Sequence, residues 1–246
     1  MQDSMDRDFR EELYEAYVSQ FKRENIDTGD VPRAAFARWA TARYLPFLSH
    51  LPRNAAVLEL GCGPGRLLRF LKDQGFTQVT GVDVSAQQTA IAESQGLAVV
   101  TSDIRRYLAG HAAAFDAIIL IDVVEHFTKP ELLAIFRLIH GSLRPGGLVL
   151  YQTVNGEGLF PAQVMFGDLT HMTYLTPGSS EQLLRAVGFA KMKFSDTGPV
   201  PVGVKGILRA LAWRAVATGA GLLRRIETGK HQRIWTENFI CRAEKA

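Results

Sequence analysis

The run Val57-Leu58-Glu59-Leu60-Gly61-Cys62-Gly63-Pro64-Gly65-Arg66 is the most informative part of this chain. It reads as an apolar strand carrying one acid near its tip, followed by glycines at alternate positions. Glycines at 61, 63 and 65 have no Cβ atoms to block a ligand lying on the turn, so a ligand can touch bare main chain. The next helix is expected to open near Pro64, where proline is tolerated in a first turn. Its unpaired N–H groups and positive dipole end suit a carboxylate.

The rival reading is a dinucleotide fold, whose fingerprint is GxGxxG with a pyrophosphate on the helix N-terminus. The spacing here is GxGxG, and the Glu59 carboxylate would repel two phosphates while attracting an ammonium or sulfonium. Gln78-Val79-Thr80-Gly81-Val82-Asp83 reads as the next strand. Its Asp83 lies eighteen positions beyond Gly65, placed to accept ribose hydroxyls. Both folds share that acid, so alone it does not separate them.

With 246 residues and 47% hydrophobic residues, the chain is long enough for one α/β domain with accessory elements. A net charge of +3 falls short of a dedicated nucleic-acid binder, and no nucleic-acid partner is assigned. Cys62 and Cys241 make neither a disulfide framework nor a metal spacing, which suits a reducing, cytoplasmic setting. The polar, acidic start does not read as a signal peptide, and no window reaches the ~18 apolar residues of a spanning helix.

Residues 1–50 are expected to form a helical cap over the cleft, with apolar positions Leu13, Tyr14, Tyr17, Val18 and Phe21, then Phe36, Trp39, Ala40, Tyr44 and Leu45. Residues 51–200 read as the core. Within them a helix through Leu67, Leu68, Phe70 and Leu71 ends at Gly75, a helix over 86–94 precedes a strand over 97–101, and Phe115 to Asp122 is a buried central strand. Pro130 opens a helix to Leu143, and Arg144-Pro145-Gly146-Gly147 turns into a strand over 148–154. This alternation predicts a doubly wound parallel sheet. An irregular stretch from Asn155 to Tyr174, rich in glycine and aromatics, is where a substrate site is expected. Residues 201–246 read as a basic helix carrying Lys205, Arg209, Arg214, Arg224 and Arg225, then a final edge strand over 234–242.

The phrases VLELGCGPG, GVDVS ending at Ser85, SDIRRY around Asp103, FDAIILIDVVEHF at 115–127 and LRPGG at 143–147 together resemble the ordered motifs of class I S-adenosylmethionine-dependent methyltransferases. The resemblance covers roughly residues 55–155 and implies a seven-stranded sheet with the last strand antiparallel. It implies S-adenosylmethionine along the carboxyl edge, its methionine part on Glu59, Gly61, Gly63 and Gly65 and its ribose on Asp83, with Cys62 and Val84 also among the cofactor-binding positions. Asp103 and Ile104 would meet the adenine, and Asp122 would lie under the methyl-donor region. YVSQF at 17–21, the segment 167–189 and the segment 226–245 are similar to methyltransferases of bacterial cell-surface polysaccharide synthesis. That narrower likeness implies a saccharide acceptor.

Methyl transfer to a hydroxyl requires alignment of the acceptor and a base for its proton. Imidazoles have the best intrinsic match, which makes His171, between Asp168 and Tyr174, the first candidate and His126 the second. Tyr151, Asn155, Asp168 and Tyr174 are candidate acceptor contacts, and Arg38 and Arg43 are candidates to reach the cofactor carboxylate. Asp168 and His171 alone do not make a metal site, and no metal is assigned. For the basic helix at 204–226, an anionic lipid surface, the catalytic domain and a homodimer partner all stand as alternatives. A small phenolic or quinone-pathway acceptor, and a cofactor-binding scaffold without turnover, are the competing functions.

Overall fold

The computed structural model describes Phe9, Arg10, Leu13 and residues 33–246. Most of the expected first helix, including Tyr14, Tyr17, Val18 and Phe21, lies outside the described residues. The cap that is described is α1 (Arg33–Arg43) followed by the short α2 (Leu45–Leu48).

The core alternates as the motif spacing predicts: β1 (Ala56–Leu60), α3 (Arg66–Asp73), β2 (Gln78–Asp83), α4 (Ala86–Ser94), β3 (Val99–Thr101), α5 (Ile104–Ala109), β4 (Phe115–Ile121), α6 (Lys129–Ser142) and β5 (Leu143–Val154). Then come α7 (Ala162–Phe166), α8 (Pro177–Ala186), β6 (Phe189–Asp196), α9 (Gly203–Thr228) and β7 (Asn238–Lys245). The sheet order is β3-β2-β1-β4-β5-β7-β6. Strands β1 to β5 pair in parallel, and β7 runs antiparallel to both β5 and β6. This is the seven-stranded doubly wound sheet that the motifs imply.

Both faces of the sheet are covered, so its central strands are apolar throughout. Along β4, Ile118 and Leu120 enter one core cluster with Phe136 and Ile139 of α6, while Ala117 and Ile119 enter the other with Leu68 and Leu71 of α3. That is the period-two alternation of a strand. Helix α6 is started by a reciprocal capping box between Thr128 and Glu131. Arg10 adds a bidentate pair to Glu131 with both contacts at 2.9 Å, and donates to the His126 carbonyl at 2.9 Å. These contacts fasten the turn after β4 and pull the Glu131 carboxyl down to about 2.

Three expectations change. The helix after the glycine turn begins at Arg66 rather than near Pro64, because Gly65 takes the left-handed N-cap position at φ +81°. Strand β5 begins at Leu143 rather than Leu148, and a register shift opposite Phe115 and Ala117 absorbs the Arg144–Gly147 turn. The last strand is not an edge. β7 is inserted between β5 and β6, leaving β6 at the border of the sheet. Among the described residues no helix is long and apolar enough to cross a membrane.

Candidate functional site

The carboxyl ends of β1, β2 and β4 converge on one edge of the sheet, where the strand order reverses and a doubly wound fold places its ligand. The glycine turn there is held by its own backbone: Gly61 and Cys62 both donate to the Val82 carbonyl, at 2.7 and 3.1 Å. A Cβ on Gly61, at φ +71°, would stand 2.4 Å from a Val123 methyl. One on Gly65 would stand 2.4 Å from Leu97. Gly61 and Gly65 thus also let the turn pack against the protein itself. The Cys62 thiol is buried against Gly81 and Leu68 and pushed up by that burial, so only its backbone belongs to the turn.

Two acids lie beside the turn. Asp83 accepts the Gly63 N–H at 2.8 Å on one oxygen and the Ser85 N–H at 2.8 Å on the other, which fixes its carboxylate beside the turn. Glu59 is only 4% exposed and its Oε2 has no hydrogen-bond partner among the described residues. Burial, reinforced by the nearby Asp83 charge, raises its carboxyl well above the usual range. A buried acceptor of this kind is costly until a donor arrives, and an ammonium group would be the best one. On that observation the residues fit S-adenosylmethionine. Val84 is exposed just past β2, and Asp103 caps α5 by accepting the Arg105 and Arg106 N–H groups at 2.9 and 3.1 Å, with Ile104 buried beside it. Val84 thus lies just past the carboxyl end of β2, and Asp103 and Ile104 just past that of β3.

Asp122 follows β4, exposed, in the left-handed region at φ +53°. Gln152 and Asn238 donate to its Oδ1 at 2.9 and 3.2 Å. The Asn238 Oδ1 is itself buried without a hydrogen-bond partner among the described residues, a second waiting acceptor on this edge.

The 155–175 insert closes on itself through the Asn155 to Leu175 bridge and docks on the turn after β4, where the Glu125 carbonyl accepts Met172 and Thr173 N–H groups at 2.7 and 3.1 Å. This docking brings His126 and His171 together, their rings 4.8 Å apart and nearly perpendicular. Partner chemistry fixes their neutral tautomers. The Val164 carbonyl can only accept from His171 Nδ1, at 3.0 Å. The buried Thr170 hydroxyl gives its proton to Asp168 Oδ1 at 2.6 Å, so its oxygen accepts from His126 Nδ1 at 2.8 Å. In its neutral form each ring is then protonated on Nδ1.

Several expected contacts are elsewhere. Tyr151 is fully buried between Phe136 and Phe239. Asn155 is also fully buried, and its amide donates to the Ile234 and Thr236 carbonyls. The Tyr174 hydroxyl is spent on the Met165 carbonyl at 2.6 Å, holding α7 in place. Arg43 is tied to Asp196, Gly198 and Pro199, while Arg38 is exposed on α1. Sequence reading missed Thr170, Gln152, Asn238 and above all Glu125, which is 1% exposed, accepts from Thr153 at 2.8 Å and is pushed up to about 8 by burial and Asp122. The Asp168-x-Thr170 spacing is the one local signal, since it is the pattern of an Asx turn.

Among known proteins, the profile of the family described as a methyltransferase domain matches residues 33–193. The ubiquinone biosynthesis O-methyltransferase of Escherichia coli O139:H28 is 30% identical over 108 residues, 42% of this chain and 44% of that protein. The chain thus spans less than half the length of such curated relatives. An S-adenosylmethionine-dependent methyltransferase of Archaeoglobus fulgidus shares the fold, with a TM-score of 0.67 at 20% identity, covering 92% of this chain and 99% of that one. Phosphoethanolamine N-methyltransferase 2 of Haemonchus contortus, solved with S-adenosylmethionine, has a TM-score of 0.60 at 17% identity, covering 94% of this chain and 60% of its own.

Proposed function

The chain belongs to the methyltransferase-domain family, and from that premise we propose that it is an O-methyltransferase using S-adenosylmethionine on a hydroxyl of a saccharide or nucleotide sugar. When bound, that cofactor supplies an electrophilic methyl group on a sulfonium. Everything else falls to the chain's residues. Glu59 takes the cationic end of the methionine part, Asp83 the ribose, and Asp122 borders the reacting region.

The observation that carries the reading is the pairing of His126, in the turn after β4, with His171 of the insert docked on that turn. A sugar hydroxyl is a weak acid, so a base must remove its proton as the new bond forms. Nε2 of either histidine is set for that task. For His126, the imidazolium formed on taking the proton stays on the ring and is stabilised by the Thr170 oxygen, which Asp168 orients, as a carboxylate steadies an imidazolium in hydrolytic triads. Exposed Asp122 and the unpartnered Asn238 Oδ1 give a polyhydroxylated acceptor further groups to bond.

A phenolic or quinone-pathway acceptor is the second reading, favoured by the ubiquinone O-methyltransferase relative and by exposed Phe160, Phe166 and Leu169 on the insert. Incubation with methyl-labelled S-adenosylmethionine and a panel of nucleotide sugars and catechols separates the two. Label on a sugar is expected, label only on catechols replaces it with the second reading, and no label on any acceptor favours a scaffold.

A further inference from the structure

Helix α9 wears its apolar face outward. None of its 26 residues is buried. At roughly 100° per residue, the half-buried Gly206, Ala210, Trp213, Ala217, Ala220 and Arg224 lie along one side. That side rests over a hollow of about 690 Å³ bordered by Pro199, Pro201 and Trp235 rather than on packed core. The opposite side carries Val204, Leu208, Leu211, Ala215, Leu222 and Ile226, and its five larger side chains are between 57% and 75% exposed. A helix on a globular protein normally turns such a stripe inward. A contiguous outward ridge of this kind marks an interaction surface.

The charges say what covers it. Lys205 and Arg209 border the ridge on one flank, Arg214 and Arg225 on the other, and Glu227 is the helix's single acid. An apolar pole edged on both sides by cations is the pattern of a helix lying in a membrane interface. A second copy of the helix would bring like charges together, whereas anionic headgroups complement them. We propose that α9 lies flat on an anionic lipid surface, its apolar ridge among the acyl chains and its flanking cations at the headgroups. This does not depend on which acceptor is methylated. The strap after α9 also bonds the insert, through Gln232 to the Glu157 carbonyl at 2.6 Å and Leu159 N–H to the Trp235 carbonyl at 3.0 Å. The seated helix and exposed Phe160 are therefore connected through one short segment.

Flotation of the whole protein with vesicles tests this. Binding is expected to phosphatidylcholine vesicles containing phosphatidylglycerol, with release by salt and little binding to phosphatidylcholine alone. Leu208→Glu with Leu211→Glu should lower partitioning at least tenfold, since each leucine loses its acyl burial. The melting temperature and S-adenosylhomocysteine affinity should stay unchanged, because both side chains are exposed. Lys205→Gln with Arg209→Gln should weaken binding to the anionic vesicles several-fold by removing charge alone. Failure to float with anionic vesicles at low salt overturns the proposal, as does a double-leucine variant that floats like the parent. A lipid-free dimer that the leucine variant dissolves would assign the ridge to a second copy and overturn it too.

Discussion

The Gln152 side chain donates its amide to Asp122 Oδ1 across 2.9 Å, and its carbonyl end accepts the Tyr44 hydroxyl at 3.0 Å. Gln152 is buried on β5 and Tyr44 is buried at the end of α1, so the cap reaches the site through two hydrogen bonds. The tyrosine also decides which way round the amide sits. With the Tyr44 proton on Oε1, the NH₂ must face Asp122, a residue kept in a sparsely populated backbone region at φ +53°.

Tyr44→Phe should therefore cost about 0.5–1.5 kcal/mol of stability through the lost hydrogen bond and raise the cofactor Kd several-fold, because the amide is no longer held toward Asp122. Thermal melts and calorimetric titration with S-adenosylhomocysteine measure the two effects. A lower melting temperature with an unaltered Kd would confine the Tyr44 and Gln152 pair to packing.

Glu59 makes a pH-dependent prediction. Burial, with Asp83 adding to it, raises its carboxyl above the ordinary range, so at any pH below its ligand-free titration an arriving cation displaces a proton there. Affinity for S-adenosylmethionine should rise with pH up to the ligand-free titration of Glu59, and binding should release a proton. Calorimetry in buffers of different ionisation enthalpy reads that release directly. Glu59→Gln should abolish it and weaken binding roughly ten- to hundredfold, the worth of a charge-assisted hydrogen bond. Equal proton release by the variant would refute the assignment.

The glycine turn and the two acids beside it were legible because their signals are largely local. Glu59 and the alternating glycines stand within a few residues of one turn, and Asp83, twenty positions beyond Gly63, ends the very next strand. The acceptor half was not, because it is assembled from distant segments. Thr170 meets His126 across 44 positions and Asn238 meets Asp122 across 116. Tyr151 misled for a physical reason. On a strand covered on both faces, adjacent residues enter opposite cores, and Gln152 rather than Tyr151 points toward Tyr44. The placement of β7 was equally illegible, since alternation of strands and helices fixes the class of sheet but not that the last strand slips between two earlier ones.

Glu125 governs stability against pH. Its carboxyl is raised to about 8 in the folded protein, from about 4.5 when unfolded. Between those values the folded state holds a proton that the unfolded chain has lost. Its contribution to stability is complete below about pH 4.5 and disappears as pH climbs through 8. Denaturant unfolding of the parent should lose stability across this window, and Glu125→Gln should flatten the loss by up to one proton, about 1.4 kcal/mol per pH unit. Thr153 can still donate to the amide oxygen, so the variant should fold. An unchanged slope would mean that Glu125 ionises normally.

The histidine pair is tested by separating the base from the residue that orients it. Removing the true base should cost about 10²–10⁴ in kcat and erase the acid limb of the pH–rate profile, with little change in cofactor affinity. His171→Ala and His126→Ala identify which ring it is. Thr170→Val keeps the shape of the side chain and removes only the hydroxyl between Asp168 and His126. If His126 is the base, Thr170→Val should lower kcat roughly tenfold with KM for the acceptor nearly constant, since the tautomer is no longer fixed and the developing imidazolium loses the oxygen that stabilises it. If His171 is the base, Thr170→Val should leave kcat within about twofold, because His171 is fixed independently by the Val164 carbonyl. Full turnover in both alanine variants, with the labelled methyl group still transferred, would remove the imidazoles from the chemistry and leave them as fasteners of the insert.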